Sequence, residues 1–341
     1  MTFDRHSLSL DAERTADRLC DWIQLSVRDE LHKSGAVVGI SGGIDSAVVA
    51  ALCVRALGPS RVLGVTLPEH ESEGVSTSLA GELSAKFGFE LISREISQAL
   101  NGLGCYELRD AAIKSVFPDF DEGWTAKITN PGSILEKQTF NFFRLTVEDR
   151  EGQQHTARLP VDAYLQIVAA SNLKQRTRMA ALYYAAESRN RAVIGTANRD
   201  ELGQGFFVKY GDGGADLHPI MRLFKVQVFQ LASFLGVNES ILERPPTTDT
   251  YSAEVSQVEF YYGLDFERMD LITWGMETGV PSAEIAAVLG LTSAQVECAF
   301  TNIMRKRKAT EYLRSAPPTL IGQGQESPID PVLGDHQPAR A

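Results

Sequence analysis

The chain has 341 residues with 33 Lys+Arg against 44 Asp+Glu, a formal net charge of −11, which disfavours nonspecific binding to nucleic acid or to an anionic membrane. With 43% hydrophobic and 23% charged residues it holds ample material for a core, which excludes a predominantly disordered chain. At roughly 150 residues per domain this length makes one elaborated domain or two.

Leu19, Trp22, Ile23 and Leu31 recur at helical spacing within 10–32 and predict an amphipathic helix. The apolar run 36–40 reads as a buried strand, 46–57 as a helix, 61–67 as a strand, 76–87 as a helix and 89–96 as a third strand. That alternation predicts an α/β fold, a doubly wound parallel sheet joined by right-handed crossovers. It breaks at 101–171, which holds Pro118, Trp124, Pro131 and Gly132, then two alternating stretches joined at 149–152, a predicted β-hairpin. An insertion of this length is expected to form a lid, a wall of the binding site or an oligomer contact, with surface decoration as the plain alternative. A helix over 172–188 and a strand over 191–197 then resume the pattern. Residues 282–304 read as two helices about a glycine turn, packing helices and not a DNA reader, because the second has no basic residue before Arg305. The last 26 residues, from Ala316, include five prolines and are expected to be disordered. The organisation is thus 1–100 for the first half of the α/β domain, 101–171 for the insertion, 172–315 for the second half with C-terminal helices, and 316–341 for the tail.

Cys20, Cys53, Cys105 and Cys298 form no C-x-x-C pair and read as reduced thiols. The N-terminus is polar, and no run approaches the ~18 apolar residues of a span. A cytoplasmic protein with no membrane partner is the expectation.

Ser41-Gly42-Gly43-Ile44-Asp45-Ser46 follows the first strand and opens the next helix, so its N–H groups face whatever binds the helix N-terminus. That place favours phosphate. The glycines permit close backbone approach, the serines offer hydroxyls, and Asp45 offers a magnesium ligand. The loop is neither a Walker A nor a dinucleotide G-x-G-x-x-G, and the plain alternative is a strand–helix turn with a serine cap. Glu201 lies just past 191–197 as Asp45 lies just past 36–40, so both carboxylates can converge at the C-terminal edge of the sheet. Two hard oxygen ligands plus phosphates suit magnesium. Arg176, Lys209 and Lys225 would bring positive charge to phosphates. A solvated helix position for Lys225 and a structural ion pair for Arg176 are the alternatives. As a loop carboxylate, Asp45 is expected to contribute little to stability.

S-G-G-x-D-S is similar to the signature of the ATP pyrophosphatases, which cleave ATP between its α and β phosphates and activate a substrate oxygen as an adenylate. A second stretch narrows the resemblance: Gly195-Thr196-Ala197-Asn198-Arg199-Asp200-Glu201, then Gly205-Phe206-Phe207-Val208-Lys209-Tyr210-Gly211-Asp212-Gly213-Gly214-Ala215-Asp216. With Asn172 to Met179 and Pro246-Thr247-Thr248-Asp249, it resembles the ammonia-dependent NAD synthetase family over roughly 20–100 and 172–310. The resemblance implies an adenine nucleotide alpha hydrolase-like fold and an amide-forming ligase. ATP would adenylate the carboxylate of deamido-NAD, and ammonia would displace AMP to give NAD, with pyrophosphate released. The same chemistry on a sugar acid or a natural-product intermediate is the alternative, because the family has only a short segment where 101–171 stands.

By the same resemblance Gly39, Ile40, Ser41, Gly42, Gly43, Ile44, Asp45, Ser46, Thr196, Lys225 and Thr247 contact ATP. Asp45 and Glu201 hold magnesium, Arg176, Lys209, Asp216 and Lys306 face the acceptor, and Asp45, Glu201 and Lys209 are the catalytic set. Asp216 has turn capping as its alternative, and Asp249 and Glu259 are candidate bases for ammonium. A homodimer is implied. The chain has no room for a glutaminase domain, so nitrogen would come from free ammonia or a separate glutaminase. The chain departs from the family at Ala197-Asn198, Val258-Glu259 and Arg305-Lys306-Arg307. A tRNA thiolation or lysidine enzyme would need a basic face and, for thiolation, a working cysteine pair; a dead nucleotide-binding regulator would have lost Asp45 or Glu201.

Overall fold

The computed structural model describes residues 3–72, 74–129, 133–136, 143–247, 251–253 and 255–317. The chain enters through α1 (Ala12–Leu25), where the Asp11 carboxylate accepts the Arg14 N–H and satisfies a first-turn donor. A π-turn over Ser26–Glu30 completes the predicted N-terminal helix. Then follow β1 (Ala36–Gly39), α2 (Ile44–Leu57), β2 (Val62–Thr66), α3 (Gly74–Phe87) and β3 (Glu90–Ser93), in the predicted order. The segment 97–158 contributes α4 (Ser97–Gly102), α5 (Cys105–Lys114), β4 (Thr125–Thr129), β5 (Arg144–Glu148) and β6 (Gln154–Arg158). After it come α6 (Val161–Glu187), β7 (Ala192–Ile194), α7 (Arg199–Gln204), α8 (Lys225–Leu235), α9 (Glu239–Leu242), α10 (Phe266–Thr278), α11 (Ser282–Leu289), α12 (Ser293–Ala309) and α13 (Glu311–Arg314).

The main sheet is parallel, in the order β3-β2-β1-β7. Its strands are apolar on both faces because helices cover both. Val37, Leu63, Val65 and Val193 point at Ala185 and Ala186 of α6. Ala36, Val38, Val62 and Ile194 point the other way, into the cluster formed with α1, α2 and α8. α2 is nearly all apolar, and Val48, Val49, Leu52 and Cys53 are fully buried, each large aliphatic side chain contributing roughly 1.5–3 kcal/mol of transfer free energy. β1 leads to β2 on one side and pairs with β7 on the other, so the strand order reverses between β1 and β7. A crevice at the carboxyl ends of those two strands is where such sheets bind ligands. The doubly wound α/β reading therefore holds.

β5 and β6 form the predicted antiparallel hairpin, closed at Asp149, whose carboxylate accepts the Glu151 and Gln153 N–H groups. β4 adds a third strand beside β5 that the hairpin pattern did not reveal. The helix expected over 172–188 instead starts at Val161, directly after Pro160. Proline at that point has no N–H to lose and a backbone already set for the entry. α6 therefore runs from the inserted sheet to the main sheet as one rod. α11 and α12 are the two packed helices read from 282–304, turned at Gly290 with φ +68° and buried through Ile285, Val296 and Ile303. Most of the tail, from residue 318 onward, lies outside the described residues. All four cysteines are free thiols, with Cys298 only half-buried. Among the described residues no single helix is long and apolar enough to cross a membrane.

Candidate active site

The loop Ser41 to Ser46 is shaped by its own polar atoms. Ser46 Oγ donates to the Gly43 carbonyl at 2.9 Å, and the Gly43 N–H donates to Ser41 Oγ at 3.3 Å, which leaves Gly43 as the cap of α2. Gly42 has φ +76°, and a Cβ there would lie 2.9 Å from the Ser76 carbonyl oxygen, so both conformation and space demand glycine. Asp45 enters α2 in its first turn, where a carboxylate suits the helix dipole.

Asp45 is no free surface carboxylate, contrary to the expectation from its loop position. Its side chain is 16% exposed and pairs at 2.5 Å with Lys225 Nζ, which is completely buried. Its other oxygen accepts from Asn198 Nδ2 at 3.0 Å. Asn198 in turn caps α7, its Oδ1 accepting the Asp200 and Glu201 N–H groups while Glu201 Oε2 accepts the Asn198 N–H at 3.1 Å. One asparagine thus ties the turn after β7 to the turn after β1. The N-x-x-E spacing carried the signal for the cap. Nothing in the sequence carried the link to Asp45, 153 positions away.

Burial, and next the charge of Asp45, push the Glu201 carboxyl up to about 8. Burial pulls the Lys225 ammonium down, but Asp45 and Glu201 more than offset it and hold it above its usual value. Lys225 is the first residue of α8, and its N–H donates to Asp200 Oδ2 while the Val226 N–H donates to Asp270 Oδ2. Burial lifts Asp200 to about 6 and pushes Asp270 well above the usual carboxylate range, and the two carboxyls together cap the first turn of α8.

A single cavity of about 800 Å³ gathers most of the predicted residues, at the large end for small-molecule sites. Gly39, Ile40, Ser41, Gly43, Ile44, Asp45, Ser46, Thr196, Lys225 and Thr247 line it, as do Glu201, Arg176 and Lys209. Gly42 shapes the loop from behind. Thr248 and Asp249 lie outside the described residues. The Arg176 Nε–H donates to the Lys209 carbonyl at 3.3 Å, and Lys209 Nζ donates to the carbonyls of Tyr312 at 2.9 Å and Ser315 at 2.7 Å. Lys209 therefore fastens the C-terminal segment, whose Tyr312 and Leu313 complete the cavity wall.

Two expected acceptor residues stand away from the lining. Asp216 is exposed, and its carboxylate accepts the Val193 N–H at 2.8 Å and the Tyr183 hydroxyl at 3.2 Å, so it fastens β7 to α6, closer to the capping alternative. Lys306 sits behind the wall residue Tyr261, donating to its carbonyl at 2.6 Å with the ammonium 4.4 Å from its ring. Burial pulls Lys306 down to about 8. Glu259 pairs with Lys127 of β4 at 3.2 Å and also lies outside the lining.

Sequence reasoning passed over a second buried charge cluster beside the cavity. Lys174 Nζ, 1% exposed, donates to Glu69 at 2.9 Å and Glu71 at 2.6 Å, Tyr106 donates to Glu69 at 2.6 Å, and Arg109 pairs with Glu71 at 2.5 Å. Burial pushes the Glu69 carboxyl up, but Lys174 and the Tyr106 and Glu71 donors outweigh it and leave it below the usual range. Arg178, one turn on from Lys174, donates to the Leu67 carbonyl at 3.3 Å. α6 thereby grips the connection after β2, whose Leu67, Pro68 and Ser72 line the cavity.

The family model described as NAD synthase matches residues 15–115 and 144–317. The chain belongs to the NAD synthase family. It is 47% identical over 319 residues to the NH(3)-dependent NAD(+) synthetase of Mesorhizobium japonicum, covering 94% of this chain and 100% of that protein. Solved structures of an NMN synthetase from Francisella tularensis and an NH3-dependent NAD synthetase from Campylobacter jejuni each match with a TM-score of 0.58, at 24% and 23% identity. The matches cover 92% of this chain and 99% and 100% of theirs. These likenesses show the fold.

Proposed function

We propose that this protein is an ammonia-dependent NAD synthetase. An acceptor carboxylate oxygen, that of deamido-NAD, bonds to the α-phosphorus of ATP as pyrophosphate leaves. Ammonia then bonds to the acyl carbon, loses a proton, and AMP leaves with the bond to the acyl oxygen. The observation that carries the reading is the near-half identity along the whole Mesorhizobium relative. The cavity supports it, because the Ser41 to Ser46 loop, a fixed lysine and the cations Arg176 and Lys209 all line it.

In this reading the N–H groups opening α2, with Ser41 and Ser46, hold phosphate oxygens. Lys225 cannot swing away, being buried and held by Asp45, so its charge is preorganised for the phosphates. Arg176 and Lys209 orient the acceptor, and Thr196 and Thr247 border the nucleotide.

Asp45 and Glu201 fit a magnesium ion shared with phosphate oxygens. Both line the cavity, and burial beside Asp45 leaves Glu201 poised for a cation. Among the described residues no group of three His, Cys, Asp or Glu forms a self-sufficient metal cage. Magnesium is commonly held by one or two carboxylates plus phosphates. When bound it would neutralise phosphate charge.

A homodimer is also proposed, supported by Val161, Leu165 and Tyr184, exposed apolar residues of α6, and tested by sedimentation. The free thiols support a cytoplasmic setting. The test of function is pyrophosphate release from ATP with magnesium and ammonium, with and without deamido-NAD, and mass spectrometry of the product. NAD and AMP forming at about 1 s⁻¹ or faster is the expected result. Pyrophosphate release only with another carboxylate would overturn it.

A further inference from the structure

Residues 116–143 fall outside the family match, yet they supply β4, the outer strand of the inserted sheet. β4 docks on the stretch that follows Thr247. The Ala126 N–H donates to Ser252 Oγ at 2.8 Å, the Ala253 N–H donates to the Ala126 carbonyl at 3.3 Å, and Lys127 pairs with Glu259 at 3.2 Å. Thr247, a cavity residue, bridges to Ser256 in the same stretch.

The braced stretch carries Tyr251 and Phe260, packed edge to face with ring centroids 5.3 Å apart. The insertion brings Phe143, beside β5, and α6 brings Tyr164, and these two stack at 4.6 Å and 15°. All four rings pack against the apolar cluster that includes the sheet's buried Ile128, Leu145 and Val147, and all four also line the cavity that holds the Ser41 to Ser46 loop. The cavity therefore has a charged part and an aromatic part, and the aromatic part is built on the inserted sheet. Aromatic walls hold flat rings through their faces and edges and exclude water from them.

We propose that the inserted sheet and the stretch it braces form the acceptor-selecting wall of the cavity: Phe143, Tyr164, Tyr251 and Phe260 receive a planar heteroaromatic ring of the acceptor. Ala126 and Lys127 are positioning residues that hold Tyr251 and Phe260. The proposal rests on the amidating reading above and adds which part of this chain chooses the acceptor.

The test uses the full chain carrying Tyr251→Leu, Tyr251→Phe or Lys127→Ala, with KM measured separately for deamido-NAD and ATP. Tyr251→Leu keeps apolar bulk and loses the ring. It should raise KM for deamido-NAD roughly 5- to 100-fold, the range for losing an aromatic partner of a stacked base, with KM for ATP within about twofold. Tyr251→Phe should restore it. Lys127→Ala should raise the acceptor KM by a smaller factor, again sparing ATP, and Lys127→Arg should recover most of that loss. Parallel rises in both KM values, or an unmoved acceptor KM in Tyr251→Leu, would overturn the wall. If Tyr251→Leu does not fold, Tyr164→Leu carries the same expectation. A wild-type protein that makes no NAD would instead overturn the amidating reading. Calorimetric titration of deamido-NAD into wild type and Tyr251→Leu then decides the wall alone, weaker binding to the variant supporting it and equal or absent binding to both overturning it.

Discussion

The pair formed by Asp45 and Lys225 is open to a double-mutant cycle that separates structure from chemistry. Lys225 is fully buried and Asp45 is 16% exposed, so removing one partner strands the other in a poorly solvated place. Breaking buried pairs in this way costs about 3–5 kcal/mol. Glu201 also faces Lys225, which puts Asp45→Asn at the low end, about 3 kcal/mol. For a chain of 341 residues the entropy of unfolding makes each kcal/mol worth roughly 1–2 °C, so that is a drop in Tm of about 3–6 °C. Lys225→Met should cost as much, because it leaves Asp45 and Glu201 facing each other without their cation. The double variant removes both charges together, and a coupling of about 2 kcal/mol should return as stability relative to the summed single losses. Urea denaturation of the four proteins reads the coupling, and pyrophosphate release should fall severely in all three variants. Additivity to within about 0.5 kcal/mol would mean that the two groups are solvated independently, and the inference from burial would fail.

Three further outcomes follow from the same geometry. Glu201 titrates near 8 in the fold against about 4.3 unfolded, so without ligand the folded state binds the extra proton and stability should fall as pH rises across that window. Melting curves from pH 5.5 to pH 8 should be flatter for Glu201→Gln, and identical slopes would refute the assignment. Lys209→Ala removes both donors to Tyr312 and Ser315, so limited proteolysis should cut the C-terminal segment faster and acceptor KM should rise more than ATP KM. Equal rises would move Lys209 to the phosphate side. Lys174→Met leaves Glu69 and Glu71 without their shared lysine and should cost about 3–5 kcal/mol by urea denaturation; a loss below about 1 kcal/mol would refute the buried network.

What was legible in the sequence was what a short window determines. Runs such as Ala36 to Gly39 and Val62 to Thr66 are apolar throughout because both faces of a parallel sheet are covered, and the phosphate loop announces itself through consecutive glycines and serines. The first half of α6 was hidden because its buried positions, Ala163, Ile167 and Ala170, include two small alanines, while the large apolar Val161 and Leu165 are exposed and blur the helical period beside a hairpin. β4 was hidden for a different reason. Thr125 to Thr129 is only five residues, and its partner β5 starts only at Arg144, so its pairing is not a local fact.

The site divides in the same way. The convergence of Asp45 and Glu201 on one cavity was legible because each immediately follows a strand of one sheet, and strand order then forces their turns together. The groups that fix those carboxylates in place were not found, because their partners are set by topology: Asn198 reaches Asp45 only once β7 lies beside β1, and Lys225 reaches it only once α8 packs on α2. The same logic separates Asp216 from the residues around it. Its motif places it in a glycine-rich loop expected to meet the acceptor, yet β7 ends at Ile194 with the Val193 N–H still needing an acceptor, and Asp216 supplies it. A buried or edge N–H left without a partner costs free energy, so a nearby carboxylate is drawn to it whatever else the motif requires. A motif carboxylate that completes backbone hydrogen bonding has a structural reason to be where it is, and Asp216→Asn, which preserves an acceptor for Val193, should separate the two roles. Retained stability with a raised acceptor KM would return Asp216 to the acceptor, while retained stability with unchanged KM would leave it a structural tie.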